Sequence, residues 1–436
     1  MNLLDRGMSV LPAFRSLCED IRTGRLPAEV TGLGHIHKAV FTAALAHTLS
    51  LKTVVLVADE AEANRLCQDL QALGLQARFL PARELSLRRV ESASREFEQM
   101  RLGTLAKMAA GDYDCVVACA DAASQYTLPP DLLRSRTLTL KEGVPLPVKD
   151  LSAALTVAGY ERCDQIEGPG QFAVRGGIID VYPADCPAPV RVELWGDAPD
   201  TIHFFDPLTQ RRTDQLKEIA IPPAAEIRYD DPTGLAEQIE RLAAGLRGKA
   251  AELQKQNLLA DADRLRSGSL PASLDKYIPL IYEKPATLFD YARDALLLVS
   301  ENAKVRERMR TARWQLEEDI KTLLEEGQLC RGLTDYMLDA DGFFLELEAG
   351  RTVFLETFAR SGGGTSLRSL YNVTARQLPV WSGSLELLTE DLEDMLHRGM
   401  SCIVLAGAEQ KNAETLAEDL QKKEIPALYA PSPQAP

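Results

Sequence analysis

The sequence predicts an α/β protein whose parallel sheet is interrupted by a small β-rich insertion and followed by a separate C-terminal α/β piece. Apolar strands alternate with helical segments over residues 28–120, which is typical of a parallel sheet covered by helices. Three runs between Arg162 and Asp206 alternate apolar and polar residues, which is typical of antiparallel strands with one buried face. At 436 residues the chain is too long for a single core, so several domains are expected.

Composition favours protein partners over nucleic acid. The formal net charge is −15 and the isoelectric point is about 5.0, whereas contacts to phosphates need a basic surface. The eight cysteines form no Cys-x-x-Cys pair and show no zinc-ligand spacing with the five histidines, so no structural metal is expected. The N-terminus has no long apolar segment and no apolar run approaches twenty residues, which predicts a cytoplasmic protein without a membrane segment.

Residues 1–120 are expected to form the first half of the parallel-sheet domain. A helix over residues 8–24 precedes a short strand at Ala28–Val30, and a turn follows at Gly32–Gly34. The remaining predicted elements are, in order, a helix over Ala39–Leu49, a strand over Thr53–Ala58, a helix over Glu60–Leu73 capped by Asp59, a helix around Ser92–Ala110 and a strand over Asp114–Ala120.

The turn after the first strand departs from a phosphate-binding loop. Such a loop, Gly-x-x-x-x-Gly-Lys-[Ser/Thr], wraps phosphates with backbone N–H groups, its lysine reaches the outer phosphates and its hydroxyl holds Mg²⁺. Superposing this pattern places Glu29 at the first glycine, Gly34 at the second, His35 at the lysine and Ile36 at the hydroxyl residue. Lys38 lies too far into the following helix to replace the loop lysine. We interpret the turn as a degenerate site kept for the fold; weak or altered nucleotide binding is the alternative.

The β-rich insertion is expected to present one polar face. If the apolar positions of its first two strands form the buried side, the alternation places Arg175, Asp180 and Tyr182 together on the outer side. A guanidinium, a carboxylate and an aromatic ring on one face are a composition typical of interface hot spots. The alternative for Arg175 is a surface arginine paired with Asp180. Arg191 and Glu193 are expected to belong to a solvated face.

A second nucleotide motif is also altered, in the second half of the parallel-sheet domain. The apolar strand Ala295–Val299 ends in Ser300-Glu301, where a Walker B strand would place Asp-Glu to hold Mg²⁺. A charged helix over residues 302–326 follows, and Phe343–Phe358 contains two strand candidates. No Ser-His-Asp set, carboxylate pair or Cys-His dyad has spacing above chance, so no catalytic residues are assigned.

Composition shifts and proline-rich stretches divide the chain. The C-terminal piece is expected to contain helices over Ser384–His397 and Lys411–Lys423 and strands over Ser401–Ala406 and Ile425–Tyr429. It buries little core, as though a longer chain followed. The predicted units are the first half of the parallel-sheet domain at 1–120, the insertion at 121–215, the second half at 216–375 and the partial α/β domain at 383–436.

Three elements in register resemble the UvrA-binding domain of transcription-repair coupling factors (Mfd) and of the excision nuclease subunit UvrB. They are Phe172–Pro183, Pro189–Asp197 and Phe205–Gln210. The flanking segments resemble the P-loop-type domain 1 of UvrB, which encloses this insertion. UvrB keeps its nucleotide site, whereas the coupling factor's N-terminal module looks like UvrB with that site decayed. Because both nucleotide motifs are altered here, the chain resembles the coupling-factor module.

The resemblance implies a non-catalytic module that binds UvrA and recruits nucleotide excision repair to stalled RNA polymerase. In the family, ATP-driven translocation and contacts with DNA and RNA polymerase belong to domains that nothing in this chain resembles. No cofactor and no strong nucleic-acid binding are therefore expected. A UvrB-like nucleotide-dependent DNA-binding enzyme and a mere structural spacer are the alternatives.

The resemblance also carries the family's UvrA-contacting positions to Arg162 and Arg175, with Tyr182 as the nearby aromatic residue. UvrB has a further arginine two residues before the position of Arg175, and Ala173 stands there in this chain. The degenerate nucleotide site comprises Gly32, Gly34, His35, Ile36, Ser300 and Glu301.

Overall fold

The computed structural model describes residues 3–85, 87, 96–248, 250–271, 273–359, 366–375, 381, 383–404, 406 and 410–430. Its helices are α1 (Leu3–Val10), α2 (Pro12–Thr23), α3 (His35–Leu49), α4 (Glu60–Ala72), α5 (Glu96–Ala110), α6 (Ala120–Ser124), α7 (Pro130–Ser135), α8 (Val148–Val157), α9 (Pro232–Gly245), α10 (Ala251–Arg266), α11 (Ile278–Ile281), α12 (Leu288–Tyr291), α13 (Asn302–Glu325), α14 (Ala340–Ala349), α15 (Leu385–His397) and α16 (Gln410–Lys422). Its strands are β1 (Ala28–Thr31), β2 (Thr53–Val57), β3 (Ala77–Leu80), β4 (Cys115–Cys119), β5 (Leu138–Lys141), β6 (Glu161–Arg162), β7 (Gln171–Arg175), β8 (Ile178–Val181), β9 (Val190–Trp195), β10 (Ala198–Phe205), β11 (Arg212–Leu216), β12 (Glu218–Ile221), β13 (Leu296–Ser300), β14 (Thr352–Glu356) and β15 (Ser369–Asn372).

A seven-stranded parallel sheet, in the order β15-β1-β14-β13-β2-β4-β3, forms the body of the protein. Every residue of β2, β4, β13 and β14 is buried, as expected for central strands covered by helices on both faces. One hydrophobic cluster lies on each side of the sheet. The predicted fold class, an α/β parallel sheet with an inserted smaller domain, is confirmed.

The insertion folds around a six-stranded sheet in the order β11-β10-β9-β8-β7-β6, in which only the β6–β7 pair is parallel. The chain enters and leaves it through the antiparallel pair β5–β12, which joins Leu138 to Ile221. Helix α8 packs on one face of the six-stranded sheet through Leu151 and Leu155. The ladder β5–β12 thus closes the insertion at its base.

Helix α5 of the body is the main support of the insertion. Gln99 donates a hydrogen bond to the carbonyl oxygen of Ala224 at 2.7 Å. A Cβ atom added to Gly103 would lie 2.4 Å from the carbonyl oxygen of Ala184, so the two backbones pack directly against each other. Arg101 forms a fully buried ion pair with Glu226 at 2.9 Å. These contacts fix the position of the insertion on the parallel-sheet body.

Three strand predictions are wrong. The first strand candidate within Phe343–Phe358 is helix α14, because the Asp339 side chain caps it by accepting the N–H of Gly342 at 2.7 Å. Helical spacing then buries Phe343 and Leu347. The other two are the C-terminal strands Ser401–Ala406 and Ile425–Tyr429: their described residues form no strand, since the extended segments there have no neighbouring strand to pair with.

Two further features concern the described residues only. None of their helices is long and apolar enough to cross a membrane. Within the same ranges, no group of three or more histidine, cysteine, aspartate or glutamate side chains is arranged to hold a metal ion.

Candidate partner-binding face and the closed glycine turn

The six-stranded sheet has an inner face that packs on helix α8 and an outer face turned away from it. The inner face carries the apolar positions Phe172, Ile179, Val181, Val190, Val192 and Ile202. Cross-strand pairing places Ala173 beside Asp180, Asp180 beside Arg191 and Arg191 beside His203 on the outer face. The alternation of apolar and polar residues in the sequence therefore predicts correctly which face of the sheet these side chains occupy.

Asp180 is not presented to a partner. It is 6% exposed and accepts two hydrogen bonds from the guanidinium of Arg191, at 2.7 and 2.8 Å. Arg191 in turn lies 4.3 Å above the ring of Phe205. The expectation that Asp180 faces solvent and the assignment of Arg191 to a solvated face are both wrong, because the two charges neutralise each other in a largely buried, bidentate pair.

A second small cluster covers part of the outer face. Ile166, which follows β6, packs with Ala173 and Phe205, and Cys163 and Tyr182 lie at its margin. Tyr182 is half-buried, and its hydroxyl donates to the carbonyl oxygen of Pro187 at 3.4 Å. Burial raises the pKa of this hydroxyl above its ordinary value. Only part of the Tyr182 ring is accessible to a partner.

The glycine turn of the body is closed by the protein's own groups. Gly32 has a φ of +89°, and a Cβ atom there would lie 1.8 Å from the carbonyl oxygen of Val373. The N–H of Leu33 donates to the carbonyl oxygen of Glu356 at 3.1 Å, and the N–H of Gly34 donates to the His37 ring at 3.2 Å. Two of the backbone donors that a phosphate-binding loop would offer are therefore occupied.

The side chains at the altered lysine and hydroxyl positions point elsewhere. His35 lies 3.2 Å from the carboxylate of Asp69, at the surface. Ile36 is exposed. Neither side chain reaches toward Ser300 or Glu301 in the contacts of the described residues.

The Lys38 side chain extends from the helix after the glycine turn to the end of β13. Its ammonium group donates to Glu301 at 2.6 Å and to the Ser300 hydroxyl at 3.1 Å, and the Lys38 and Glu301 side chains are only 6% and 7% exposed. Burial alone would raise the pKa of Glu301, but hydrogen bonds from Lys38 and Thr357 and the charge of Lys38 hold it below its ordinary value. The sequence places Lys38 too far along the helix to act as a loop lysine; the structure shows that it instead contacts Ser300 and Glu301 at the end of β13.

Comparisons with known proteins identify the insertion. A family model described as the UvrB interaction domain matches residues 138–227. Residues 138–227 are therefore similar to the UvrB interaction domain. The match begins with β5 and ends shortly after β12, so it contains the whole six-stranded sheet.

The similarity to known proteins extends beyond the UvrB interaction domain. The transcription-repair coupling factor of Bacillus subtilis is 30% identical over 434 residues, covering 97% of this chain and 36% of that protein. Those of Staphylococcus epidermidis and Staphylococcus aureus are 24% and 22% identical over 360 and 417 residues, covering 80% and 93% of this chain. The chain spans about a third of the length of these relatives. The resemblance predicted from the sequence is confirmed.

Arg175 is an exposed cation within residues 138–227, the segment that matches the UvrB interaction domain. It ends β7 on the outer face, and its guanidinium donates to the carbonyl oxygen of Asp164 at 2.5 Å. Among the described residues it forms no ion pair, so the alternative of a pair with Asp180 is wrong. A backbone contact orients the side chain without neutralising its charge.

The structure does not bring the three predicted contact residues together. Arg162 lies on edge strand β6 opposite Phe172, so its register places it with the inner face. Arg175 and Tyr182 share the outer face but lie near opposite ends of β8. Because Arg175 pairs with Ile178 and Tyr182 is four residues farther on, their backbones are about 13 Å apart along the strand.

Trp195 is not among the residues predicted from the sequence, but it is 84% exposed at the end of β9. The strand alternation that places Arg191 and Glu193 on the outer face also places Trp195 there. The sequence signal for it is a large aromatic residue directly before a Gly-Asp turn, where only the small residue Ala198 pairs with it across the hairpin.

Proposed function

We propose that this chain is a non-catalytic module that binds UvrA and thereby recruits nucleotide excision repair to stalled RNA polymerase. The observation that carries the proposal is an exposed arginine, Arg175, that forms no ion pair among the described residues and lies on the outer face of the segment matching the UvrB interaction domain. The similarity to transcription-repair coupling factors over 97% of the chain supports it. We place the module in the cytoplasm, with contacts to DNA and RNA polymerase assigned to other parts of the full-length relatives.

The proposed contact is a protein–protein association centred on Arg175. Its charge needs an acidic or polar patch on UvrA, and arginine is among the residues enriched at interface hot spots. Arg162 and Tyr182 remain proposed contacts at the margin of this surface. Their separation from Arg175 predicts that each contributes less than Arg175 does.

We further propose that the parallel-sheet body binds no nucleotide and is not an ATPase. The occupied N–H groups of Leu33 and Gly34 support this proposal, as does the pair of Lys38 with Glu301. A nucleotide would have to displace a buried ion pair and would find no lysine or hydroxyl at His35 and Ile36. The rival function, a UvrB-like nucleotide-dependent enzyme, requires an open site here.

Titration of purified UvrA against this chain tests the first proposal. The wild type should bind, and Arg175→Ala should bind at least ~30-fold more weakly, which corresponds to a hot-spot loss of ~2 kcal/mol. Arg211→Ala is the matched control, since Arg211 is also an exposed arginine of the interaction domain but lies beyond the far end of β10. If both variants bind UvrA equally well, Arg175 is not part of the contact. If the wild type does not bind UvrA, the chain is better explained as a structural spacer.

Competition with a fluorescent ATP analogue tests the second proposal. We expect no displaceable binding at millimolar nucleotide, with or without Mg²⁺. A dissociation constant well below 1 mM would restore the enzyme alternative.

A further inference from the structure

Trp195 is a solvent-exposed aromatic residue directly before an ordered turn. It is 84% exposed, while its backbone pairs with Ala198 across the β9–β10 hairpin. Gly196 has a φ of +64° and forms the turn, and the N–H of Leu194 donates to the carbonyl oxygen of Gly177 at 2.8 Å. This last bond ties the end of β9 to the turn that follows Arg175. The ring is exposed although the strand that carries it is fixed on both sides.

The register places Trp195 and Arg175 on one face and at one end of the sheet. Arg175 pairs with Ile178, and Ile178 pairs with Glu193. Trp195 follows two residues later on the same face as Glu193. Two strand spacings and a two-residue step put the backbones of Arg175 and Trp195 about 12 Å apart, a distance that one patch of a partner can span.

The charged residue between Arg175 and Trp195 is Glu193, and it already has polar partners within the sheet. The Glu193 carboxylate forms an ion pair with Arg212 and accepts a hydrogen bond from the Thr201 hydroxyl at 3.3 Å. Among the described residues, Arg175 donates a hydrogen bond to the backbone carbonyl of Asp164 and forms no ion pair. The end of the outer face therefore offers one arginine without an ion pair and one exposed indole, separated by a neutralised carboxylate.

We propose that Trp195 is the apolar anchor of the UvrA contact and determines its strength together with Arg175. This inference rests on the proposed function. A tryptophan that becomes buried on binding removes roughly 150–250 Å² of surface from water, and tryptophan and arginine are both enriched at hot spots. The matching surface of UvrA is an apolar pocket bordered by an acidic group. Trp195 replaces Tyr182 as the main aromatic contact, since the Tyr182 ring is partly covered.

A second highly exposed apolar side chain of the interaction domain provides a control. Leu208 is 92% exposed, but it lies in the turn after β10, at the opposite end of the sheet. The Asp206 carboxylate accepts the Leu208 N–H at 2.8 Å and orders that turn. Leu208 thus matches Trp195 in exposure and in an ordered backbone but lies away from Arg175.

The test titrates UvrA against wild type, Trp195→Ala, Trp195→Phe and Leu208→Ala, with thermal melts of each chain. We expect unchanged melting for all four, at least ~30-fold weaker binding by Trp195→Ala, partial recovery by Trp195→Phe and unchanged binding by Leu208→Ala. If the wild type binds and Trp195→Ala binds equally well, the anchor is wrong while the proposed function stands. If the wild type does not bind, the proposed function and this inference both fail. Sedimentation of the free chain measures whether it self-associates. If the chain self-associates, Trp195→Ala abolishes this and UvrA binding is intact, then the ring contacts a second copy of this chain and the inference is overturned.

Discussion

Replacing Lys38 with methionine should strongly destabilise the parallel-sheet body. The side chains have similar length, but the substitution leaves the carboxylate of Glu301 buried without its cation. Removing one partner of a buried ion pair typically costs about 3–5 kcal/mol. Thr357 still donates its N–H to Glu301 at 3.0 Å, so we expect the lower end of this range, about 3 kcal/mol.

Urea unfolding of three variants measures this effect. Lys38→Met should lose about 3 kcal/mol, and Lys38→Met/Glu301→Gln should recover most of it, because the buried charge is removed together with its partner. Lys52→Met is the control, since Lys52 lies 3.9 Å from Asp114 in an exposed pair that should contribute no more than about 1 kcal/mol. A Lys38→Met variant as stable as Lys52→Met, or a double variant no better than the single one, would refute the proposed coupling.

The same pair predicts a pH dependence. The pKa of Glu301 is lowered in the folded state, so its stabilising contribution is present above the unfolded pKa of about 4.3 and is lost as the pH falls through the folded pKa. In Lys38→Met the buried carboxylate can be neutralised by protonation. The deficit of Lys38→Met relative to wild type should therefore shrink as the pH falls toward 4.

Two further substitutions test other buried charges. Arg191→Met leaves Asp180 buried without its cation and should lower the free energy of unfolding in urea by about 3 kcal/mol. Arg211 is exposed, so Arg211→Met should lower it by less than about 0.5 kcal/mol. Equal losses in the two variants would contradict a stabilising role of the Arg191–Asp180 pair. Burial raises the pKa of Glu356, so its ionisation lowers stability increasingly as the pH rises through its folded pKa. Glu356→Gln should therefore gain stability relative to wild type from pH 4 to pH 8, and a gain that does not grow with pH would contradict this reasoning.

The fold was predictable where burial alone determines the pattern. Central strands such as β2 and β13 are continuous apolar runs, because helices cover both faces of a parallel sheet. The segment that became helix α14 alternates leucine and glutamate in part, which resembles a strand. The cap at Asp339 and the burial of Phe343 and Leu347 outweigh this local pattern.

The candidate site was predictable only in part. Alternation assigns Asp180 to the outer face correctly, but it cannot show that Arg191 pairs with it or that Ile166 covers the neighbouring positions. Counting helical residues excludes Lys38 as a loop lysine, but it does not reveal that the long side chain reaches Glu301 from the first turn of the helix. Such pairings join residues far apart in the sequence, so they follow from tertiary packing rather than from local spacing.

Backbone hydrogen exchange of this chain, with and without saturating UvrA, tests the central claim most directly. Binding at the Arg175 end of the outer face should slow exchange over residues 175–178 and 193–198 and leave the turn at 206–211 unchanged. Protection confined to residues 206–211, to the parallel-sheet body or to the C-terminal piece would contradict the proposed face. No change in exchange anywhere, under conditions that saturate a known UvrA contact, would contradict the claim that this chain binds UvrA.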